Sequence, residues 1–446
     1  MNIIIAGDGE VGFHLAKLLS GKHHNITIVD PHEELLKLIE SHTDLLAVAG
    51  DSTSIQTLEN ANVKRADLLI AVVHDEQINL LTCILAKKLG AKKTIARIKN
   101  AEYLSETNNK MFQSLGIDAL VCPENIAAVE LVRLLQQPAA TEVFDFSEGR
   151  LMLFLVRLDE KSLVLNKTLN DIAVENPKLD FRAVAIHRQG KTIVPKGDDA
   201  FLLNDLIYVV TKPSGIDELF RLGGKEKHVI HDVMIIGGGR IGREAARRLE
   251  NNFNVKLIEI DKERCVYLSD MLQNTLIING DARDTEILED EGIKNMDAFI
   301  AVTDDTETNM FSCLLAKRLG VNRVIPLVEN IDYIDISQSI GIESIINKKL
   351  ITASHIVQYT MDAEVTAIKC LSGIDAEVLE FVVKPKARIT KDPIKKIKTP
   401  PGSLIGGIIR GDQSFIATGD FQIEEGDKVV VFAIPEAIYK VSTLFQ

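Results

Sequence analysis

Two glycine-rich runs carry the chemistry that this sequence offers. The first is Gly7-Asp8-Gly9-Glu10-Val11-Gly12 and the second is Gly237-Gly238-Gly239-Arg240-Ile241-Gly242. Each follows a short run of strand-forming residues, 2–6 and 232–236, and each opens an amphipathic stretch with helical spacing. In that setting the first glycine permits a tight turn. The second lets a pyrophosphate approach the backbone, and the third lets the helix pack against the strand. The helix N-terminus then presents unpaired N–H groups and a partial positive charge to a phosphate. An acid completes each pattern: Asp30 after the strand 26–29, and Glu259 after Leu257-Ile258. Such a carboxylate accepts hydrogen bonds from adenosine ribose hydroxyls and repels a 2′-phosphate, so NAD(H) is expected and NADP is disfavoured.

The two loops differ in charge. The first carries Asp8 and Glu10, the second Gly238 and Arg240. Fixed negative charge beside a phosphate penalises a triphosphate more than a pyrophosphate. The first site is therefore expected to prefer NAD(H), and the second to tolerate ATP or ADP better. Val73 and His74 end a strand at the edge where open parallel sheets bind ligands, and Thr303 and Asp304 stand at the same place in the second half. Arg97 ends a further strand, where a planar guanidinium suits phosphate; its counterpart is Leu327. No catalytic group accompanies these loops. Tyr208 and Lys212 have the YxxxK spacing of short-chain dehydrogenases, but that dyad needs a helix and Tyr208 lies in an expected strand. The chain is read as a non-enzyme with no metal site, in which nucleotide regulates.

The elements around these loops are duplicated. Residues 50–90 overlie 280–320, sharing Gly50-Asp51 with Gly280-Asp281, Ile70-Ala71-Val72 with Ile300-Ala301-Val302, and Asn79 with Asn309. A second match places 188–210 on 410–432. The order is large lobe, small lobe, large lobe, small lobe, with expected boundaries at 1–135, 139–222, 230–361 and 362–446. Pro138 stops the apolar stretch 126–135, and the polar run 223–228 links the halves. In the first large lobe strands at 2–6, 26–29, 45–49 and 66–73 alternate with helices at 11–19, 32–40 and 79–89. That alternation means α/β: two tandem Rossmann-like, doubly wound parallel-sheet domains. Each is followed by a small α+β domain, with strands at 183–186, 192–194 and 206–210 and their matches at 404–410, 414–417 and 428–433.

Among the 446 residues, 51 Lys+Arg stand against 64 Asp+Glu, a formal net charge of −13. That argues against nucleic acid as the main partner and against adsorption to anionic lipid. No apolar run approaches the roughly 18–20 residues of a spanning helix. Gly7, Asp8 and Glu10 interrupt the apolar start, unlike a signal peptide. The five cysteines, Cys83, Cys122, Cys265, Cys313 and Cys370, are too widely spaced to suggest a disulfide framework or zinc site. The expected location is cytoplasmic, peripheral to the cell membrane through another protein. An NAD-dependent oxidoreductase is the alternative, weakened by the missing acid–base group. A redox-sensing transcription factor is disfavoured by charge and by the lack of a basic recognition helix.

The stretches MNIIIAGDGEVGFHLAKLL, GDSTSIQTLENANVKRADLLIAVVHDEQINLL, VMIIGGGRIGREAARRLE, VKLIEIDKERC and TPPGSLIGGIIRG resemble the TrkA family across the whole chain. The family's units are the RCK, or TrkA-N and TrkA-C, domains. The resemblance implies a cytosolic regulatory subunit of a Trk-type potassium uptake system, arranged as a gating ring, as a homotetramer, beneath a transmembrane Trk-type channel subunit. It also implies NAD(H), ATP and ADP as ligands. Carried over by position, the first site comprises Gly7, Asp8, Gly9, Glu10, Val11, Asp30, Asp51, Val73, His74 and Arg97. The second comprises Gly237, Gly238, Gly239, Arg240, Ile241, Glu259, Asp281, Thr303 and Asp304. Val73 and His74 replace small hydroxyl residues common in the family, so backbone contacts there survive and hydroxyl contacts do not.

Overall fold

The structure, a computed structural model, describes every residue except 8, 21–23, 34, 35, 37–44, 138, 177, 178, 226–228, 361–364, 372, 373 and 375, and only the backbone of 10, 20, 335 and 338. The expected helix 32–40, Pro138 and the end of the 223–228 link thus fall wholly or largely outside the described residues. The strand Asn2–Ala6 (β1) is a β-branched run with Ile3 to Ala6 all buried, as a strand covered on both faces requires. It pairs in parallel with Asn25–Asp30 (β2) and, on its other side, with Leu68–Ala71 (β4). Leu46–Ala49 (β3), Lys93–Arg97 (β5) and Ala119–Val121 (β6) complete a six-stranded sheet in the order β3-β2-β1-β4-β5-β6. The order reverses between β1 and β4, so a crevice opens at their carboxyl ends. Helix Glu76–Leu89 covers one face, burying Asn79, Thr82, Cys83 and Ala86 at helical spacing.

This sheet belongs to a compact unit formed by Met1–Ile126 together with Lys348–Asp362. The returning helix Lys348–Val357 packs on helix Glu10–Ser20, the one that the first glycine loop opens. His14 on that helix is half-buried, and its Nε2 has no hydrogen-bond partner among the described residues.

The other unit is Ala127–Asn347 with Ala363–Gln446. It contains a second parallel sheet: Asp232–Ile236 (β12), Asn254–Glu259 (β13), Thr275–Asn279 (β14), Ala298–Ala301 (β15) and Arg323–Pro326 (β16), ordered β14-β13-β12-β15-β16. A parallel bridge between Leu327 and Ile346 stands where β6 extends the first sheet. Arg323 is buried, and its Nη2 donates to the carbonyls of Leu134 (3.3 Å) and Ala140 (2.8 Å), at the end of helix Pro123–Gln136. A cation suits the negative end of a helix dipole; burial pushes its pKa down to about 10.

The small lobes are antiparallel five-stranded sheets of one topology. Glu142–Phe146 (β7), Leu151–Arg157 (β8), Phe181–Arg188 (β9), Lys191–Ile193 (β10) and Leu206–Thr211 (β11) are ordered β7-β8-β11-β9-β10. Val365–Cys370 (β17), Glu377–Val382 (β18), Ser403–Arg410 (β19), Gln413–Ile416 (β20) and Lys428–Ala433 (β21) follow β17-β18-β21-β19-β20. The two share one core, in which Leu153, Val184 and Tyr208 meet Val378, Val430 and Phe432. Gly406 is needed there, because a Cβ would lie 2.8 Å from the Val210 side chain. No helix among the described residues is long and apolar enough to cross a membrane.

Burial first, then Lys17 and Lys349, hold the His14 pKa below its ordinary 6.5. The unfolded chain therefore binds the proton near 6.5 and the folded chain only at lower pH, so stability falls as pH drops through that window. Urea midpoints of the first unit are expected to decline between neutral pH and about pH 5, and His14→Gln to flatten that decline.

Candidate functional site

Each glycine loop sits at the carboxyl edge of its sheet, between the strand it follows and the helix it opens. Gly7 and Gly237 have φ of 113° and 96°, where other residues are strained. A Cβ on Gly7 would lie 3.0 Å from the Val73 nitrogen, and one on Gly237 2.9 Å from that of Thr303. A Cβ on Gly12 or Gly242 would stand 1.9 Å from the Gly7 or Gly237 carbonyl oxygen. The middle glycines behave differently: a Cβ on Gly9 or Gly239 would meet nothing within 4 Å. The chain itself thus demands the first and third glycines. The middle one borders open space, as a backbone meant to be approached by a ligand would. Val11 and Ile241 are buried, so only their backbone faces the loop, and Arg240 is exposed. Asp8 and the Glu10 side chain lie outside the described residues.

The closing acids are both buried. Asp30 accepts from the His32 amide (3.0 Å) and lies 2.7 Å from His32 Nδ1. Glu259 folds back beneath its loop. It accepts from the amides of Gly238 (2.7 Å) and Asp261 (2.9 Å), with Arg264 Nη1 at 3.5 Å. A Cβ on Gly238 would lie 2.9 Å from that carboxylate and 2.5 Å from Leu268. Gly238 therefore has a cause inside the chain, independent of ligand charge: a side chain at 238 would meet the Glu259 carboxylate and Leu268.

Asp51 and Asp281 follow the neighbouring strands. Asp51 accepts from the Thr53 amide (2.8 Å) and hydroxyl (2.7 Å), bonds that lower its pKa. Asp281 is gripped by Arg283 through Nε (3.0 Å) and Nη2 (2.7 Å), and that side-chain bonding is the main cause of its lowered pKa. His74 is exposed, and Val73 is positioned by Asn79. Buried Asn79 accepts from the Val73 amide (2.8 Å) and donates to the carbonyls of Val73 and Arg97 (2.9 Å each). Asn309 does the same for Thr303 and Leu327, and also accepts from the Thr303 hydroxyl at 2.7 Å. One amide side chain thus clamps the ends of two strands at each crevice. Arg97 is largely buried 3.9 Å from Glu124; its Nε and the Glu124 Oε2 have no hydrogen-bond partner among the described residues.

In the second crevice a cleft of about 200 Å³ brings together Gly237, Gly239, Glu259, Asp281, Thr303 and Asp304. Gly238, Arg240, Ile241 and Gly242 do not line it, whereas Arg264, Arg283 and Thr308 do. The sequence reading missed Arg264, Arg283 and the two asparagines. Asn79 had a visible signal: it occupies the apolar stripe of its helix and recurs as Asn309. Tyr208 is 1% exposed within β11, and Lys212 pairs with Asp180 at 2.5 Å, so their spacing forms no dyad.

The family model of the TrkA-N domain matches residues 3–123 and 233–348, and that of the TrkA-C domain matches 153–223 and 378–446. The chain is 32% identical over 455 residues to the Trk system potassium uptake protein TrkA homolog 1 of Methanosarcina mazei, covering 100% of both chains. It is 34% identical over 453 residues to the TrkA protein of Vibrio alginolyticus, covering 100% of this chain and 99% of the relative. Among solved structures, the GsuK channel bound to NAD superposes with a TM-score of 0.62 at 18% identity, over 100% of this chain and 78% of that one. The GsuK RCK domain gives the same TM-score and identity over 100% and 94%. These structural likenesses establish the fold.

The glycine geometry predicts opposite outcomes for two alanine substitutions. Gly12→Ala should lower stability by about 1–3 kcal/mol or more, while Gly9→Ala should stay within about 0.5 kcal/mol of the parent. Asn79→Ala should cost about 1–3 kcal/mol through the backbone groups it strands. Denaturant melts of the full chain check all three.

Proposed function

The chain belongs to the TrkA family of Trk system potassium uptake proteins, and from that premise we propose that it is a cytosolic, nucleotide-binding regulatory subunit of a Trk-type potassium transporter. The observation that carries the reading is the pair of glycine loops whose middle positions, Gly9 and Gly239, face open space while the glycines on either side are sterically required. NAD(H), ADP and ATP are the proposed ligands; GsuK has been solved bound to NAD and bound to ADP. The glycine loops with Asp30, Asp51, Val73, His74 and Arg97 in the first cleft, and with Glu259, Asp281, Thr303 and Asp304 in the second, are the proposed contacts. The buried acids suit ribose hydroxyls, and Arg97, whose Nε has no hydrogen-bond partner among the described residues, suits a phosphate oxygen.

The chain senses nucleotide and does not turn it over. Among the described residues, Asp30, Asp51, Glu259 and Asp281 are tied to neighbouring amides, arginines or hydroxyls, which argues against a general acid or base among these four. Binding shifts the packing of the four lobes, divided at 1–135, 139–222, 230–361 and 362–446, and a transmembrane Trk-type subunit reads that shift. The shift is limited by the difference in affinity between two states.

Assembly into a homotetrameric ring is supported by exposed apolar side chains that recur in both halves. Leu81, Met111 and Leu115 are matched by Phe311, Ile336 and Ile340, and Phe311 is 70% exposed. Repeated apolar exposure of this kind marks an interaction surface.

Gly9→Asp should keep the fold and weaken NAD binding to the first cleft by about tenfold or more, since a new charge meets the phosphates. It should also uncouple potassium uptake from nucleotide in cells carrying the membrane subunit. Unchanged calorimetric affinity would refute the site. Phe311→Glu with Leu81→Glu should shift the chain from tetramer to smaller species in sedimentation.

A further inference from the structure

The two small lobes share one topology, yet they meet through unlike residues. The strand registers fix which positions correspond. Phe144 opposes Leu153 as Lys369 opposes Val378, and Glu142 opposes Leu155 as Ala367 opposes Glu380. Val184 and Gly406 also correspond, each being the residue skipped at the register shift of its strand, β9 or β19.

These counterparts face one another across the shared core. A Cβ on Gly406 would lie 3.0 Å from Val184 Cγ1 and 2.8 Å from Val210 Cγ2, and one on Gly407 2.7 Å from Leu151 Cδ1. The second lobe thus offers a hollow that first-lobe side chains fill. Charge is divided in the same one-sided way. Buried Lys369 lies 2.9 Å from Glu130 Oε1 and 3.9 Å from Glu142 Oε2, with its Nζ 5.9 Å from the centre of the Phe144 ring. Buried Glu380 accepts from the Ser147 hydroxyl of the first lobe at 2.8 Å, and Lys428 donates to that hydroxyl at 2.9 Å.

A pair of like lobes would lose both fits. Two first lobes would bring Val184 against Val184, where a single added Cβ already has no room. They would also set Phe144 where the Lys369 ammonium now meets two carboxylates. Two second lobes would bring Lys369 against Lys369 and glycine against glycine. A buried ion set adds little net stability over apolar side chains of similar volume, whereas one member without its partner is costly. Its effect therefore falls on the choice of partner.

We propose that the small-lobe interface is a selective lock: a first small lobe accepts a second small lobe, from its own chain or from a second copy, and excludes its own kind. Val184 and Gly406 supply the steric half of the selection. Lys369, with Glu130 and Glu142, supplies the ionic half. The inference is independent of what the large lobes bind.

The full chain carrying Val184→Cys reports on like pairing. Only two copies meeting through their first lobes can bridge residue 184 to itself, and the closeness of the counterpart position puts such a pair within disulfide reach. Refolding from urea in oxidising buffer, followed by mass spectrometry of bridged peptides, counts these bridges, which should be scarce. Adding Glu130→Leu, Glu142→Ala and Lys369→Met together should raise their yield about tenfold while the melting temperature stays near that of the reporter chain. Lys369→Met alone should lower the melting temperature, because two carboxylates lose their cation. Abundant bridging in the reporter chain, or an unchanged yield once the ion set is removed, would overturn the proposal: the tether between the lobes would then be what pairs them. Failure of the ion-free chain to fold would overturn it too, since the charges would then hold the interface together and not choose its partner.

Discussion

The architecture turns on a contact with no room to spare. At Gly12 and Gly242 the helix backbone runs so close to the carbonyl of the first loop glycine that a single added carbon would sit 1.9 Å from it. That approach sets the angle at which helix leaves strand, and so aims the helix N-terminus into the crevice. The carboxyl ends of the remaining strands must then be held around it. Asn79 and Asn309 do this by bridging two strand ends apiece with hydrogen bonds that a buried side-chain amide can satisfy in full. The cleft is therefore framed by the backbone before any charged side chain takes part.

Within that frame the two copies have diverged by coupled changes. Glu259 accepts from the Gly238 amide, and its carboxylate leaves no room for a side chain on Gly238. Replacing Thr53 by Arg283 changes the partner of the next acid from neutral to cationic. Each pair is intelligible only together. The charge difference between the loops, taken by itself, points to ligand preference; the packing around Gly238 supplies a steric cause for half of it.

Much of this was legible in the sequence, for identifiable reasons. The parallel sheets announce themselves as short β-branched runs alternating with amphipathic helices, and the duplication fixes what belongs to what. In the small lobes β9–β11 and β19–β21 stand out in the sequence, whereas β7, with Glu142 and Asp145 among its five residues, carries too mixed a pattern for an edge strand to do so. At the site, the sterically required glycines and buried acids follow local rules. Arg264 and Arg283 do not: each lies a few residues past a strand, and only the fold shows that it faces the cleft. Asn79 recurs in the repeat as Asn309, but its meaning depends on strand ends that are distant in sequence.

The returning helix Lys348–Val357 has a consequence for heredity and for the laboratory alike. Because it shields the helix opened by the first glycine loop, although it is encoded after the second sheet, the gene cannot be shortened to its first repeat without stripping that helix of its cover. Residues 127–222, likewise, gather with what is translated after them. Each compact unit draws residues from both repeats, so neither repeat alone spans a whole body.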